Sequence, residues 1–158
     1  MIGVDEKVQF LKNDFTALLK QISSDTLPAW GKLTLQQMIE HFTDSVRIAS
    51  GKTVHTDIVT PEEHLDKARN FLMSDKPFRE NTPNALMPEV PVPVRNKTIK
   101  EAYTELEIEL DFFFSVFEKN GLQVTRNPFF GDLNYEQNIH LLYKHALHHL
   151  RQFGLTVS

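Results

Sequence analysis

Apolar residues recur at the three- and four-residue spacing of an α-helix in four long segments of this chain. The first segment runs from about Asp5 to Ser23. Each of the other three begins with a residue type that caps helices and has Gln or Glu three positions later, as in a capping box: Thr34/Gln37, Thr98/Glu101 and Asn134/Gln137. Each is followed by a glycine, the residue that most often ends a helix: Gly51, Gly121 and Gly154. No segment shows the alternation of a strand, so the pattern predicts an all-α fold.

A long connection separates the second and third of these helices. Thr60-Pro61 is typical of a helix start and predicts a short helix that ends near Met73, with Thr60 as its cap. Beyond it, five prolines within seventeen residues prevent a regular helix: Pro77, Pro83, Pro88, Pro91 and Pro93. We therefore predict a four-helix bundle with a long crossover between helices two and three, arranged up-down-down-up, so that helices two and three run parallel.

Composition limits the remaining possibilities. The 158 residues are 41% hydrophobic, which predicts one domain spanning residues 1–158. A net charge of -4 gives no basic surface for nucleic acid or an anionic membrane. No stretch approaches the ~20 apolar residues of a membrane span, and the N-terminus has no apolar targeting segment, so we expect a soluble cytoplasmic protein. The chain has no cysteine, which leaves His, Asp and Glu as metal ligands.

Two histidines in the last helix have the spacing of a metal-binding pair. His145 and His149 lie four residues apart and therefore share one face of a helix. Such a pair can bind one divalent ion. The residues between them include no glutamate, so the motif is not that of a zinc peptidase.

The predicted topology brings a third histidine to the same level. His41 lies seven residues past Thr34, about 10 Å along helix two, and the middle of the His145/His149 pair lies about 9 Å from the end of helix four. Those levels coincide when the two helices are antiparallel. We predict that His41, His145 and His149 bind zinc, nickel or manganese at an open, catalytic type of site. The alternative is that they are ordinary histidines of the helix surface or the bundle core.

Spacing alone predicts the roles of three polar neighbours of these histidines. His148 forms an alternative pair with His145 and is expected to face solvent or to support the ligands. Gln152 and Asp44 stand three residues after His149 and His41, where they could orient those rings or be ordinary surface residues. Three other histidines have no partner by spacing, and we expect them to be exposed: His55, His64 and His140. The single tryptophan, Trp30, is expected to pack in the core, with stacking on a ligand as the alternative.

The same residues carry a family resemblance. Glu40-His41-Phe42, the run from His145 to Gln152 and the long crossover resemble the DinB/YfiT-like superfamily. The Trp30–Thr34 and Asn127–Gly131 segments resemble a branch of it whose function is uncharacterised. The resemblance covers essentially the whole chain. It implies a divalent metal on one histidine of helix two and a pair on helix four, which are His41, His145 and His149 here. Some members are metal-dependent thiol transferases or isomerases that act on low-molecular-weight thiols, others have no established activity, and some have lost the ligands.

Three functions are compatible with these observations. The resemblance favours a transferase in which the metal acidifies a small-molecule thiol, and the alternative enzyme is a metal-dependent hydrolase. The non-enzymatic alternative is a helical module that binds a small ligand or serves a stress response. No catalytic side chain beyond the ligands and no organic cofactor site is predicted. We also expect residues 83–94 of the crossover to wall the site, and a homodimer through helix faces is compatible with the apolar residues of helix three.

Overall fold

A computed structural model describes residues 2–81 and 86–157 of the chain. The protein is mostly helical and has one small two-stranded sheet. None of the helices in these two ranges is long and apolar enough to cross a membrane. In chain order the elements are α1 (Val4–Gln9), a π-helical segment (Phe10–Asp14), α2 (Phe15–Lys20), α3 (Leu35–Ser50), α4 (Glu62–Met73), α5 (Ile99–Lys119), β1 (Thr125–Asn127), β2 (Gly131–Leu133) and α6 (Tyr135–Gln152).

The first three elements form one continuous N-terminal helix that contains a π-helical turn. The residues at the two junctions, Gln9 and Phe15, keep right-handed helical dihedral angles. The wider turn shifts the buried face, so both Phe10 and Leu11 enter the core together with Phe15 and Leu19. Periodicity predicted this helix but not its π-helical turn.

The caps of α3 and α6 confirm the helix starts predicted from the sequence. Thr34 and Gln37 form a reciprocal capping box at α3, and Asn134 and Gln137 form another at α6. Gly51 follows α3 with φ +81°, a left-handed conformation that glycine adopts at little cost.

Two other caps differ from the prediction. Thr98 accepts a hydrogen bond from the Glu101 backbone N–H, but the Glu101 carboxylate bonds to the backbone of Lys97, so that capping box is incomplete. At α4 the capping position is occupied by Pro61, and the Thr60 hydroxyl donates to the carbonyl of Phe129. Thr60 therefore joins the crossover to the loop before α6.

The prediction that the chain has no strands is wrong. β1 and β2 pair antiparallel, with Thr125 opposite Leu133 and Asn127 opposite Gly131. The Asn127 side chain accepts hydrogen bonds from two backbone N–H groups in the turn, and Gly131 has φ +76°. Strands of three residues are too short for alternation to be recognised in the sequence.

Side-chain pairs show that α3 and α5 run parallel, as predicted for helices two and three. Glu40 near the start of α3 contacts Arg95 and Asn96 just before α5, whereas Arg47 near the end of α3 contacts Glu109 further along α5. The connection between these helices therefore crosses the molecule.

The last helix runs against α3 and alongside the N-terminal helix. Gln152 at the end of α6 bonds to Trp30 just before α3, whereas His145 lies against Phe42 within α3. Lys7 of the N-terminal helix contacts His140, and Phe10 one turn later contacts Tyr143, so the N-terminal helix and α6 run parallel. The core between these helices is rich in aromatic residues: Phe10, Phe15, Phe42, Tyr103, Phe113, Phe114, Phe117 and Phe153.

Glu40 anchors the end of the crossover beside His41. Glu40 is 5% exposed, and its carboxylate accepts hydrogen bonds from the backbone N–H groups of Arg95 at 2.7 Å and Asn96 at 3.2 Å. Burial alone would raise the pKa of Glu40, but these bonds and one from Gln36 lower it below its ordinary value. The charged carboxylate thus holds the chain that leads into α5.

We expect Glu40→Ala to loosen this anchor and to lower the free energy of unfolding by about 2 kcal/mol, because charge-assisted hydrogen bonds to two backbone groups are lost. Amide hydrogen exchange should accelerate at Arg95 and Asn96. The exposed Glu118 provides a control as Glu118→Ala. Equal exchange rates and equal stability in both variants would contradict the anchoring role of Glu40.

Candidate metal centre

Three imidazoles from two helices converge at one point. One ring nitrogen each of His41, His145 and His149 lies within 4.8 Å of the other two. The His41 ring centre is 5.2 Å from that of His145 and 5.3 Å from that of His149. The prediction that the topology brings His41 to the level of the pair is confirmed. These histidines are close enough to hold one metal ion.

Gln152 determines which nitrogen of His149 faces the cluster. The Gln152 amide N–H donates to the carbonyl oxygen of Trp30 at 3.0 Å, which directs the amide oxygen toward His149 Nδ1 at 2.8 Å. Because that oxygen only accepts, Nδ1 must carry the proton. His149 Nε2 therefore presents a lone pair, the form that binds a metal.

The contact between the two histidines of α6 then assigns the proton on His145. Nε2 of His145 lies 2.7 Å from Nε2 of His149, so one of these atoms donates to the other. Since His149 Nε2 is the acceptor, His145 carries its proton on Nε2 in the metal-free protein. For both Nε2 atoms to bind one ion, His145 must move that proton to Nδ1 or release it.

Burial keeps all three imidazoles neutral. It lowers the pKa of His41, and it lowers the pKa values of His145 and His149 well below the ordinary value, with a further decrease from the neighbouring histidines. A metal ligand must be unprotonated. The site therefore holds its histidines in the binding form at neutral pH.

Aromatic rings surround the cluster. Phe42 of α3 lies 5.0 Å from the His145 ring, and Phe78 of the crossover lies 6.3 Å from it. Phe78 also lies 5.9 Å from His148, and Trp30 packs 5.4 Å from His148 on another side. The aromatic residues reduce water access to the imidazoles and give the site an apolar wall.

The neighbours predicted by spacing have mixed outcomes. Gln152 orients His149 and is buried, so its interpretation as an ordinary surface residue is wrong. Asp44 is exposed and pairs with Arg47 and Arg95 instead of holding His41. His148 is half-buried between aromatic rings and does not simply face solvent.

The histidines outside the cluster also differ from expectation. His64 is exposed as predicted, and His55 is half-buried. His140 is buried and lies 2.6 Å from the Nζ of Lys7, so the prediction that it is exposed is wrong. Its partner lies 133 positions away in the sequence, and no local spacing indicates such a contact.

The crossover contacts the site through Phe78. Phe78 precedes residues 83–94, the segment that is predicted to wall the site. Pro83 and the two residues after it lie outside the described residues. Val92 accepts a hydrogen bond from Gln37, which places this part of the segment one turn before His41 on α3.

No protein-family model, no curated protein and no solved structure matches this chain. Membership of the DinB/YfiT-like superfamily therefore stays a prediction from the motifs of the sequence.

Proposed function

We propose that this protein is a DinB/YfiT-like four-helix bundle that holds a divalent metal ion on His41, His145 and His149. The observation that carries the proposal is the convergence of three imidazole nitrogens within 4.8 Å, from helices far apart in the sequence. The parallel course of α3 and α5 and the crossover between them agree with the up-down-down-up arrangement of that superfamily.

The donor set suits a borderline metal ion. All three groups are neutral imidazoles, and the described residues place no carboxylate in the cluster. Imidazole favours zinc and nickel, whereas manganese prefers oxygen ligands, so zinc and nickel are the preferred candidates. Three protein donors leave a position for a substrate or water, which is typical of catalytic zinc sites and not of structural ones.

We further propose that the site acts on a low-molecular-weight thiol as a transferase. A divalent ion held there lowers the pKa of a thiol that binds to it, which is the chemistry the metal supplies. Gln152 keeps the Nε2 lone pair of His149 directed at the cluster, and Phe42 and Phe78 limit the entry of water. Activation of water generally uses a carboxylate base as well, and its absence from the described cluster favours the thiol over hydrolysis.

Metal content tests the site. We expect roughly one zinc or nickel ion per chain in protein purified without a histidine tag, and its loss in His145→Ala, because two remaining imidazoles bind far more weakly than three. The exposed His64 provides a matched control as His64→Ala, which should retain the ion. Elemental analysis by mass spectrometry measures all three proteins. A wild-type protein without metal, or equal metal in both variants, would contradict the proposal.

Activity tests the reaction. The metal-loaded protein should accelerate transfer of small thiols to an electrophile such as chlorodinitrobenzene, and His145→Ala should lose at least about 100-fold in rate, as expected when a catalytic metal is lost. Hydrolysis of esters or phosphoesters without a thiol would instead identify a hydrolase. Thiol binding by calorimetry without turnover of any substrate would identify a ligand-binding module, and either result would overturn the transferase proposal.

A further inference from the structure

Arg151 of α6 is a half-buried residue, and its guanidinium pairs with no group in residues 2–81 and 86–157. Every other arginine of the chain has a partner: Arg47, Arg69, Arg79, Arg95 and Arg126. Arginine is favoured where a planar carboxylate or phosphate is bound, because its fork of N–H groups matches two oxygens. The unpaired guanidinium of a half-buried arginine is therefore a candidate for binding an anion.

The adjacent turn of the same helix presents a second unpaired group. Nδ1 of His148 is buried, and within the described part of the chain it has no hydrogen-bond partner. Buried polar atoms are nearly always hydrogen-bonded, so this nitrogen requires a partner from outside the protein. A backbone hydrogen bond with Phe78 raises the pKa of His148, so the ring already has one polar neighbour besides the unpartnered Nδ1. Neutral imidazole can carry its proton on either nitrogen, and an oxygen bound at Nδ1 would favour the form that donates from Nδ1.

His148 lies beside the three histidines, and Arg151 lies about one turn further along α6. Arg151 follows His148 by three residues, which places the two side chains on one face of α6. The positive charge of Arg151 acts on His148 and, after burial, is the largest contribution that lowers the pKa of His148. The His148 ring centre is 5.1 Å from that of His149. Trp30 and Phe78 pack on His148 from the loop before α3 and from the crossover.

We propose that His148 and Arg151 bind a carboxylate of the substrate that reacts at the three-histidine site. This inference rests on the proposed function. The two guanidinium N–H groups would hold the carboxylate oxygens, and the Nδ1–H of His148 would donate to one of them. The substrate class is then a small molecule that carries a carboxylate near its reacting group. The apolar rings of Trp30 and Phe78 strengthen such charge-assisted bonds by excluding water.

The test uses the intrinsic fluorescence of Trp30, because this is the only tryptophan of the chain and it packs against His148. The probes are N-acetylalanine and N-acetylalanine amide, which differ in the carboxylate and contain no thiol. Titration of the metal-free full chain should show at least about tenfold tighter binding of the acid, the scale of one bidentate arginine contact. Arg151→Gln should abolish this preference, and Arg151→Lys should reduce it because the fork is lost.

The exposed Lys119 supplies the matched control, since Lys119→Gln changes the net charge equally and should keep the preference. Equal binding of acid and amide by the wild type, or the same preference in Arg151→Gln and Lys119→Gln, would overturn the inference. Because these titrations involve neither metal nor thiol, their outcome does not depend on the metal analysis.

In the metal-loaded protein, N-acetylcysteine should react at least about tenfold more efficiently than its amide in wild type but not in Arg151→Gln. If metal-loaded Arg151→Gln still reacts faster with the acid than with the amide, the carboxylate site is overturned, whereas the proposed metal site and reaction are not.

Discussion

The antiparallel contact of α3 with α6 determines the position of every group at the candidate metal centre. It places His41 opposite His145 and His149, and it brings the loop before α3 to the end of α6, where Trp30 meets Gln152. This contact depends in turn on the crossover, which lets α3 and α5 run parallel and leaves α6 to return against α3. The small sheet is attached to the opposite end of α3, since the Thr125 hydroxyl of β1 donates to the carbonyl of Ala49.

Gln152 connects this architecture to the chemistry of the cluster. The carbonyl of Trp30 orients the amide, the amide oxygen fixes the proton of His149 on Nδ1, and the lone pair on Nε2 then faces the cluster. The proton on His145 follows from the 2.7 Å contact between the two Nε2 atoms. Binding of an ion through both Nε2 atoms therefore requires one defined change, the removal of the proton from Nε2 of His145. Each step uses a buried group, which is why the arrangement holds a single tautomer of His149.

Much of this structure could be predicted from the sequence because its signals are local. Capping boxes at Thr34 and Asn134 mark the starts of α3 and α6, and the His145/His149 spacing marks one face of α6. His41 required one further step, the parallel course of helices two and three. The unpredicted features depend on longer-range contacts or small insertions. The π-helical turn at Phe10 shifts a face by one residue, the three-residue strands carry no period, and His140 is buried by a lysine from the other end of the chain. The spacing of Gln152 from His149 is compatible with an orienting role, but it does not show that the loop of Trp30 buries Gln152.

X-ray absorption at the metal edge tests the central claim most directly, because it measures the ligands of the ion itself. If His41, His145 and His149 hold zinc, the fine structure should show about three imidazole nitrogens near 2.0–2.1 Å and their outer ring atoms. In His41→Ala supplied with excess zinc, which compensates for the weaker binding by two imidazoles, the imidazole count should fall by one, which would show that α3 and α6 share the ion. A first shell without imidazole, or an unchanged spectrum in His41→Ala, would contradict the account.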